Sequence, residues 1–305
     1  MDRRTGFVKK SPIMALDSSL VGTKVGPVEA EIDARWMMAY AAALDDMADC
    51  YLDTRRPGGI VAHPLFPVCF EWPAAGTIRT KLRANMAEGE PARGVHATHH
   101  TILHRPLRPP MRLSTTAEVL GVERRAAGAF EVVKFATVDH RGTPVCTTYY
   151  GSLYRKVEVN GPDHPAELPR SLAPTTTPAQ PRTAIPIAIG AGAAHIYTEC
   201  ARIWNPIHTD AAVAAAAGLP GLILHGTATL AMAVSAIVRA EAQGDPARVS
   251  EVGGRFGAMV LMPSVLTVRI QTREKCDRGD AIFFEALSAD GGRAIRDGFV
   301  ILATD

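Results

Sequence analysis

The chain has 305 residues, of which 47% are hydrophobic, and its 33 Lys and Arg against 31 Asp and Glu leave a formal net charge of +2. This hydrophobic content excludes a disordered or fibrous chain and suffices for two globular domains. The balanced charge, without a long run of one sign, excludes an electrostatic nucleic-acid binder, so a small molecule or another subunit is the expected partner.

Residues 1–20 are predicted to form an N-terminal tail, because their basic residues are not followed by the apolar segment of a signal peptide. No run of about 18 apolar residues occurs, so a cytoplasmic protein without a membrane partner is expected. The five cysteines form no CxxC pair, which favours buried thiols over a disulfide scaffold or a zinc site. Neither GxGxxG nor a P-loop is present, so we expect no cofactor and no metal.

The first half of the chain combines helical and strand patterns. Two helical stretches precede β-rich runs, which flank glycine turns such as the one at 139–143. These elements define a first unit over residues 21–158. The predicted helices cover 34–47 and 61–78, and the predicted strand regions cover 97–107, 112–123 and 129–155.

A proline-rich stretch divides the chain. Residues 161–186 include seven prolines, which predicts an extended linker over 159–186. The second unit, 187–305, repeats the order of the first: helical stretches at 193–218 and 222–238, then strands around a turn at 290–292. The repeat lies in the layout rather than in the residues, and it predicts an α+β class.

The stretch 222–238 is apolar on nearly every side, which is typical of a buried helix. A curved sheet wrapped around it would bury the helix and leave its N-terminus, at His225 and Gly226, facing a cavity. Unpaired backbone N–H groups at such a terminus suit a thioester oxygen that gains negative charge. The alternative for His225 is a core histidine bonded to a backbone carbonyl.

The second candidate segment is Asn205-Pro206-Ile207-His208, a polar turn in an otherwise apolar half. A purely structural interpretation stays open, in which Asn205 or Thr209 caps the alanine-rich helix that follows and Gly218 ends it.

Together these segments resemble a known family. WNPIHTD at 204–210, followed by GLPGLILHGTATLAMA at 218–233, resembles the signature of the MaoC-like, (R)-specific enoyl-CoA hydratase (hydratase 2) family, and GGRFGAMVLMPSVLTVRI at 253–270 resembles the strand that follows. HRPLRPPMRLSTTAEV at 104–119 and the stretch 128–155 resemble that family's non-catalytic N-terminal repeat.

The resemblance implies a double hot-dog fold, in which two tandem units each wrap an antiparallel sheet around a long buried helix. It also implies hydration of a 2-enoyl-CoA, or the reverse dehydration, with an acyl-CoA as partner. His208 matches the catalytic histidine, Asn205 the asparagine that arranges the site, and Gly226 the backbone donor to the thioester oxygen.

One position departs from the family pattern, because Ile203 stands where the family has a catalytic aspartate. Three explanations compete: Glu199, which i to i+4 spacing would place on the same helical face as Ile203, supplies the carboxylate; His208 acts alone; or the chain binds acyl thioesters without hydrating them. Thioesterase activity is a further alternative. Asp210 is expected to cap or orient the loop and, with His225 and Ile203, to border the substrate.

Three further features are less specific. By the period of two, His96, His100 and His104 are expected on one face of a strand, too far apart to share a metal ion. Arg202, Arg255 and the basic residues of HRPLR are candidates for the CoA phosphates. A homodimer and a monomer whose tandem units pair within the chain both remain open.

Overall fold

The computed structural model describes residues 15–170, 172–176 and 178–303. The helices are α1 (Ala34–Ala43), α2 (Asp49–Leu52), α3 (Pro67–Arg83), α4 (Ala193–Ala201), α5 (Ala211–Ala216) and α6 (Gly226–Glu241). The strands are β1 (Leu16–Asp17), β2 (Lys24–Ile32), β3 (Gly94–Leu103), β4 (Met111–Arg125), β5 (Gly128–Asp139), β6 (Pro144–Arg155), β7 (Val159–Asn160), β8 (Thr183–Ile189), β9 (Val249–Phe256), β10 (Ser264–Cys276), β11 (Gly279–Leu287) and β12 (Arg293–Leu302). None of the helices in these ranges is long and apolar enough to cross a membrane.

Ten of the strands form one antiparallel sheet in the order β2-β4-β5-β6-β3-β9-β12-β11-β10-β8. The first five belong to the first half of the chain and the last five to the second half. The halves join where β3 pairs with β9, with Thr98 opposite Arg255 and Ile102 opposite Glu251. Pairing of the two units therefore occurs within the chain, and the predicted α+β class is confirmed.

The long helix of the second half, α6, is buried along its length, from Thr227 to Val238. Its apolar side chains pack in a core cluster that draws on both halves. The helix starts at Gly226 rather than at the predicted 222, because the preceding backbone is used elsewhere: Leu224 N–H donates to the Val260 carbonyl at 2.8 Å. The predicted burial is confirmed.

The corresponding helix of the first half, α3, starts at Pro67 rather than at the predicted 61. Proline suits the first helical position because its fixed φ is helical and its missing N–H would have no partner inside the helix. The residues before it form turns, in which Phe66 N–H donates to the His63 carbonyl at 2.8 Å.

The two halves meet through their helices as well as through the sheet. The Tyr40 hydroxyl on α1 lies 3.4 Å from the Tyr197 hydroxyl on α4, and Trp36 Nε1 donates to the Cys200 carbonyl at 2.9 Å. His63 Nε2 lies 3.2 Å from Ser235 Oγ on α6. These buried and partly buried contacts join the helical layers of the two units.

The proline-rich stretch carries some regular structure. β8 starts at Thr183, inside the predicted linker, and pairs with β10. Earlier in the stretch, His164 bridges to Val122, and Leu172 packs against a core cluster that contains Phe283 and Phe299. The unit boundaries at 158 and 187 stay predictions.

Candidate active site

A cavity of about 250 Å³ lies between the two halves. Its lining includes Asn205, His208, His225 and Gly226 from the second half, the segments singled out in the sequence. Ligand sites are commonly such clefts, mainly apolar with a few convergent polar groups. The cavity is therefore the candidate site for the chemistry.

His208 is held in one orientation by its neighbours. It ends the short 3-10 helix Pro206–His208, and its backbone N–H donates to the Asn205 carbonyl at 3.2 Å. Nδ1 lies 2.9 Å from the Ile223 carbonyl, an acceptor, so Nδ1 carries the proton and a neutral ring leaves Nε2 free to accept one. Burial lowers the pKa of His208 below 6.5, against the opposing effect of the Ile223 bond. The neutral ring is thus favoured near neutral pH.

His225 stacks on His208, with ring centroids 3.7 Å apart and planes inclined by 26°. Its Nε2 lies 3.2 Å from the Thr198 hydroxyl. Burial, and then the proximity of His208, lowers the pKa of His225 to about 2. His225 is therefore a buried neutral residue that also borders the cavity, and it supports His208 without adding a second charge.

Gly226 is the first residue of α6, with His225 as its N-cap. The first N–H groups of a helix have no partner inside it and lie at the positive end of the helix dipole. A Cβ at Gly226 would lie 3.2 Å from the Phe256 ring, so a glycine leaves the approach to this terminus open. The arrangement suits an oxygen that gains negative charge.

Ile203 lines the cavity and is only 4% exposed. The chain reaches it through a turn in which Arg202 adopts φ 58° and the Ile203 N–H donates to the Thr198 carbonyl at 3.0 Å. The side chain at 203 thus borders the space occupied by His208 and His225, and an isoleucine offers no proton acceptor there.

Glu199 does not reach the cavity. It is exposed near the end of α4, and the cavity lining does not include it. The i to i+4 argument fails because α4 ends at Ala201 and the left-handed Arg202 turns the chain before Ile203. The sequence-based placement of Glu199 beside Ile203 on one helical face is wrong.

Asp210 has a structural role. Its Oδ1 accepts the N–H groups of Ala212 at 2.8 Å and Val213 at 3.3 Å, so it caps α5. The expectation that Asp210 caps the helix is confirmed. The expectation that it borders the substrate stays a prediction, and its side chain is exposed and lies outside the cavity lining. The alternative caps were wrong: Asn205 makes no capping bond, and its side chain stays available to the cavity.

The first half contributes a wall that the sequence did not reveal. Along α3, Val68, Trp72, Ala75, Arg79 and Arg83 all line the cavity at helical spacing. The signal was present as a helical stripe, but polar residues in it resemble an exposed helix face.

The histidine run on β3 contributes to the same wall. A β-bulge between His96 and Thr98 shifts the register, so His96 and His99 both line the cavity. His96 stacks on Tyr150 at 3.5 Å, whereas His100 packs beside Tyr149 and bonds Glu251 at 2.5 Å. Adjacent tyrosines of a strand point to opposite faces, so the prediction that His96 and His100 share a face is wrong.

The arginines suggested for CoA have other contacts. Arg202 lies over the Trp36 ring at 3.8 Å, and Arg255 lies 3.5 Å from Asp297. In the HRPLR segment, Arg105 pairs with Asp139 at 2.6 Å and Arg108 donates to the Gly58 carbonyl at 2.9 Å. Among the described residues that line the cavity, none is one of these four arginines.

Two family models match the chain. Residues 173–288 match the MaoC like domain, and residues 19–148 match the FAS1-like, dehydratase domain region. Among curated proteins, the peroxisomal enoyl-CoA hydratase 2 of Arabidopsis thaliana is 45% identical over 53 residues, which is 17% of this chain and 17% of that protein. The chain thus aligns with only a small part of that relative.

A longer match covers both halves. The 3-hydroxyacyl-thioester dehydratase Y of Mycobacterium tuberculosis is 28% identical over 293 residues, 92% of this chain and 95% of that one. Among solved structures, a MaoC-like dehydratase from Phytophthora capsici superposes with a TM-score of 0.77 at 19% identity, over 96% of this chain and 98% of the other. The predicted double hot-dog fold is confirmed.

Proposed function

Because the chain carries a MaoC-like domain behind a FAS1-like dehydratase region in a double hot-dog fold, we propose that it hydrates a 2-enoyl-CoA to the 3-hydroxyacyl-CoA, or catalyses the reverse dehydration. The proposal rests on one observation: His208 and the N-terminus of α6, at Gly226, line the same cavity. One group moves a proton, and the other stabilises a developing oxyanion.

The thioester oxygen accepts the Gly226 N–H at the start of α6. His208 Nε2, free because Nδ1 is bonded to Ile223, takes a proton from water as the water oxygen bonds to C3. The C2–C3 π electrons move towards the carbonyl, whose oxygen gains negative charge beside the helix terminus. Asn205 positions the water or the thioester.

Protonation of C2 completes the addition. The imidazolium of His208 holds the proton removed from water, and its return to C2 restores the neutral ring and balances the reaction. A single group then acts first as base and then as acid, which suits a site with Ile203 in place of a second proton acceptor.

The test is loss of the enoyl absorbance when the purified protein is mixed with crotonyl-CoA or longer enoyl-CoAs. The variant His208→Ala should lose hydration by about 10²- to 10⁴-fold, the usual contribution of a proton-transfer residue. His140→Ala, in the exposed turn between β5 and β6, is the matched control and should retain the rate.

Ile203 favours a second candidate function, a subunit that binds acyl thioesters without hydrating them. Binding of enoyl-CoA without loss of the enoyl absorbance would support it and contradict hydration. Release of free CoA would indicate the thioesterase alternative. Acyl-CoA is the ligand in each case, so the absorbance and thiol assays on one sample separate the three.

A further inference from the structure

The first-half end of the cavity contains two guanidinium groups. Arg79 lies between two aromatic rings, 4.7 Å from the Trp72 centroid and 4.9 Å from the Tyr150 centroid. Arg83, one turn further along α3, donates from Nε to the Tyr154 hydroxyl at 3.3 Å. Both arginines are half-buried and line the cavity. Stacking fixes a guanidinium in the orientation needed to bind a planar anion.

Positive charge exceeds negative charge at this end. The ion pairs found within the described residues include neither Arg79 nor Arg83. The acid that interacts with both is Glu131, which is buried and accepts the Tyr154 hydroxyl at 3.3 Å. Burial raises the pKa of Glu131, which further weakens its ability to neutralise two arginines.

Two uncharged polar groups border the same space. His99 is 1% exposed and lines the cavity, and its Nδ1 is buried without a hydrogen-bond partner among the described residues. Its Nε2 is 2.9 Å from the Thr101 hydroxyl, which is 3.0 Å from that of Thr148. Glu71 also lines the cavity, where its Oε1 accepts a hydrogen bond from the Cys146 thiol at 3.8 Å, and burial raises the pKa of Glu71 to about 8.

An unsatisfied buried polar atom is costly, so the unpartnered Nδ1 of His99, a residue that lines the cavity, is a candidate group for a hydrogen bond to a ligand. Since burial also lowers the pKa of His99 to about 3, neither it nor Glu71 is charged near neutral pH, and the two arginines set the charge of the wall.

A continuous series of contacts links this end to the proposed thioester site. A Cβ at Gly226 would touch Phe256, the Phe256 ring lies 4.5 Å from His96, and His96 stacks on Tyr150 at 3.5 Å. Arg79 lies over the Tyr150 ring, 4.9 Å from its centroid, at the end of this aromatic row. A chain that starts at Gly226 and follows the rings therefore ends at Arg79.

Resting on the proposed function, we infer that the acyl group of the substrate ends in a carboxylate, which Arg79 and Arg83 bind while the thioester lies at Gly226. His99 Nδ1 offers the same end group a further hydrogen bond. The phosphates of CoA are also anions that these arginines could bind. The experiment therefore distinguishes a terminal carboxylate of the acyl group from a CoA phosphate.

The experiment compares 2-enoyl-CoAs of equal chain length that end in a methyl or a carboxylate group, over a series of lengths. At one length, kcat/KM of the wild type should favour the carboxylate by tenfold or more, and Arg79→Gln and Arg83→Gln should each lower that ratio by about tenfold. Arg112→Gln, an exposed arginine of the same unit, should keep the wild-type ratio.

Equal losses on both substrate series in Arg79→Gln and Arg83→Gln would identify a CoA phosphate contact and overturn the inference, as would a wild-type preference for methyl ends at every length. If the wild type hydrates none of these compounds, the proposed function fails, and calorimetry with the saturated acyl-CoAs tests the anion site alone. Tighter binding of the carboxylate series would support that site, and equal binding would overturn it.

Discussion

The N-termini of the two long helices occupy corresponding places in the two units, yet they offer different chemistry. At α3, Pro67 has no N–H, and the next two N–H groups donate to the preceding turn, Val68 to the Leu65 carbonyl at 3.3 Å and Cys69 to the Phe66 carbonyl at 3.0 Å. At α6, Gly226 carries an N–H and borders the cavity. One terminus is closed by its own backbone, whereas the other remains available to a ligand.

The histidines that precede the helices differ in the same way. Both nitrogens of His63 have partners, because Nε2 lies 3.2 Å from Ser235 Oγ and Nδ1 accepts the Leu65 N–H at 3.0 Å. His225 instead stacks on His208 at the cavity. The first unit thus contributes residues that line the cavity, whereas the second contributes the groups proposed to react, although both units share one fold.

The largest expected effect comes from making the α6 terminus resemble that of α3. Gly226→Pro removes the N–H proposed to bind the thioester oxygen, and the backbone tolerates it, since His225 already has the extended conformation, with ψ 138°, that a following proline requires. We expect kcat for enoyl-CoA hydration to fall by about 10²- to 10³-fold, the usual cost of losing one oxyanion donor.

Gly226→Ala is the matched control, because it adds the same Cβ against Phe256 but keeps the N–H. It should lose much less activity than the proline variant. Equal rates for the two variants, with both folded by circular dichroism, would mean that this N–H does not act in the reaction.

The second expected effect is on the pH dependence of hydration. Burial holds the pKa of His208 below its usual 6.5, so as the pH falls through this lowered pKa the ring gains a proton and can no longer accept one from water. Log kcat/KM should then fall by about one per pH unit on the acid side. His225, with its pKa at about 2, adds no second step.

Any activity that remains in His208→Gln should lack this acid limb. A wild-type profile that stays flat across the same range, in a protein that remains folded, would remove His208 from the role of base.

A third variant tests whether the second unit lacks a proton acceptor. Ile203→Asp introduces a carboxylate into the cavity wall beside His225, and we expect hydration to gain on the order of tenfold. Ile203→Asn controls for polarity and shape without the charge. No gain in the aspartate variant over the asparagine variant would show that His208 works without a second group.

Several elements were predictable from the sequence because their signals are local. The all-round apolar pattern of α6 and the glycine turn at 139–143 depend on neighbouring residues alone. His99 was missed as a cavity residue because its placement depends on β3 pairing with β9 and on a bulge at His96, neither of which leaves a trace in spacing. Arg79 was missed because a polar residue in the helical stripe of α3 resembles an exposed helix face. The site could therefore be predicted on the side that holds the motif, but not on the opposite wall.

Glu199 gives the smallest expected effect and tests the limit of reasoning from spacing. The Glu199 side chain is exposed, and the turn at Arg202 separates it from Ile203. Because an exposed residue that does not contact the reacting groups has little effect, Glu199→Gln should change kcat/KM for hydration by less than about twofold. A tenfold loss would mean that the end of α4 rearranges when substrate binds. In that case Glu199 would supply the carboxylate that Ile203 does not, and a structure with bound substrate would be needed to show where Glu199 then lies.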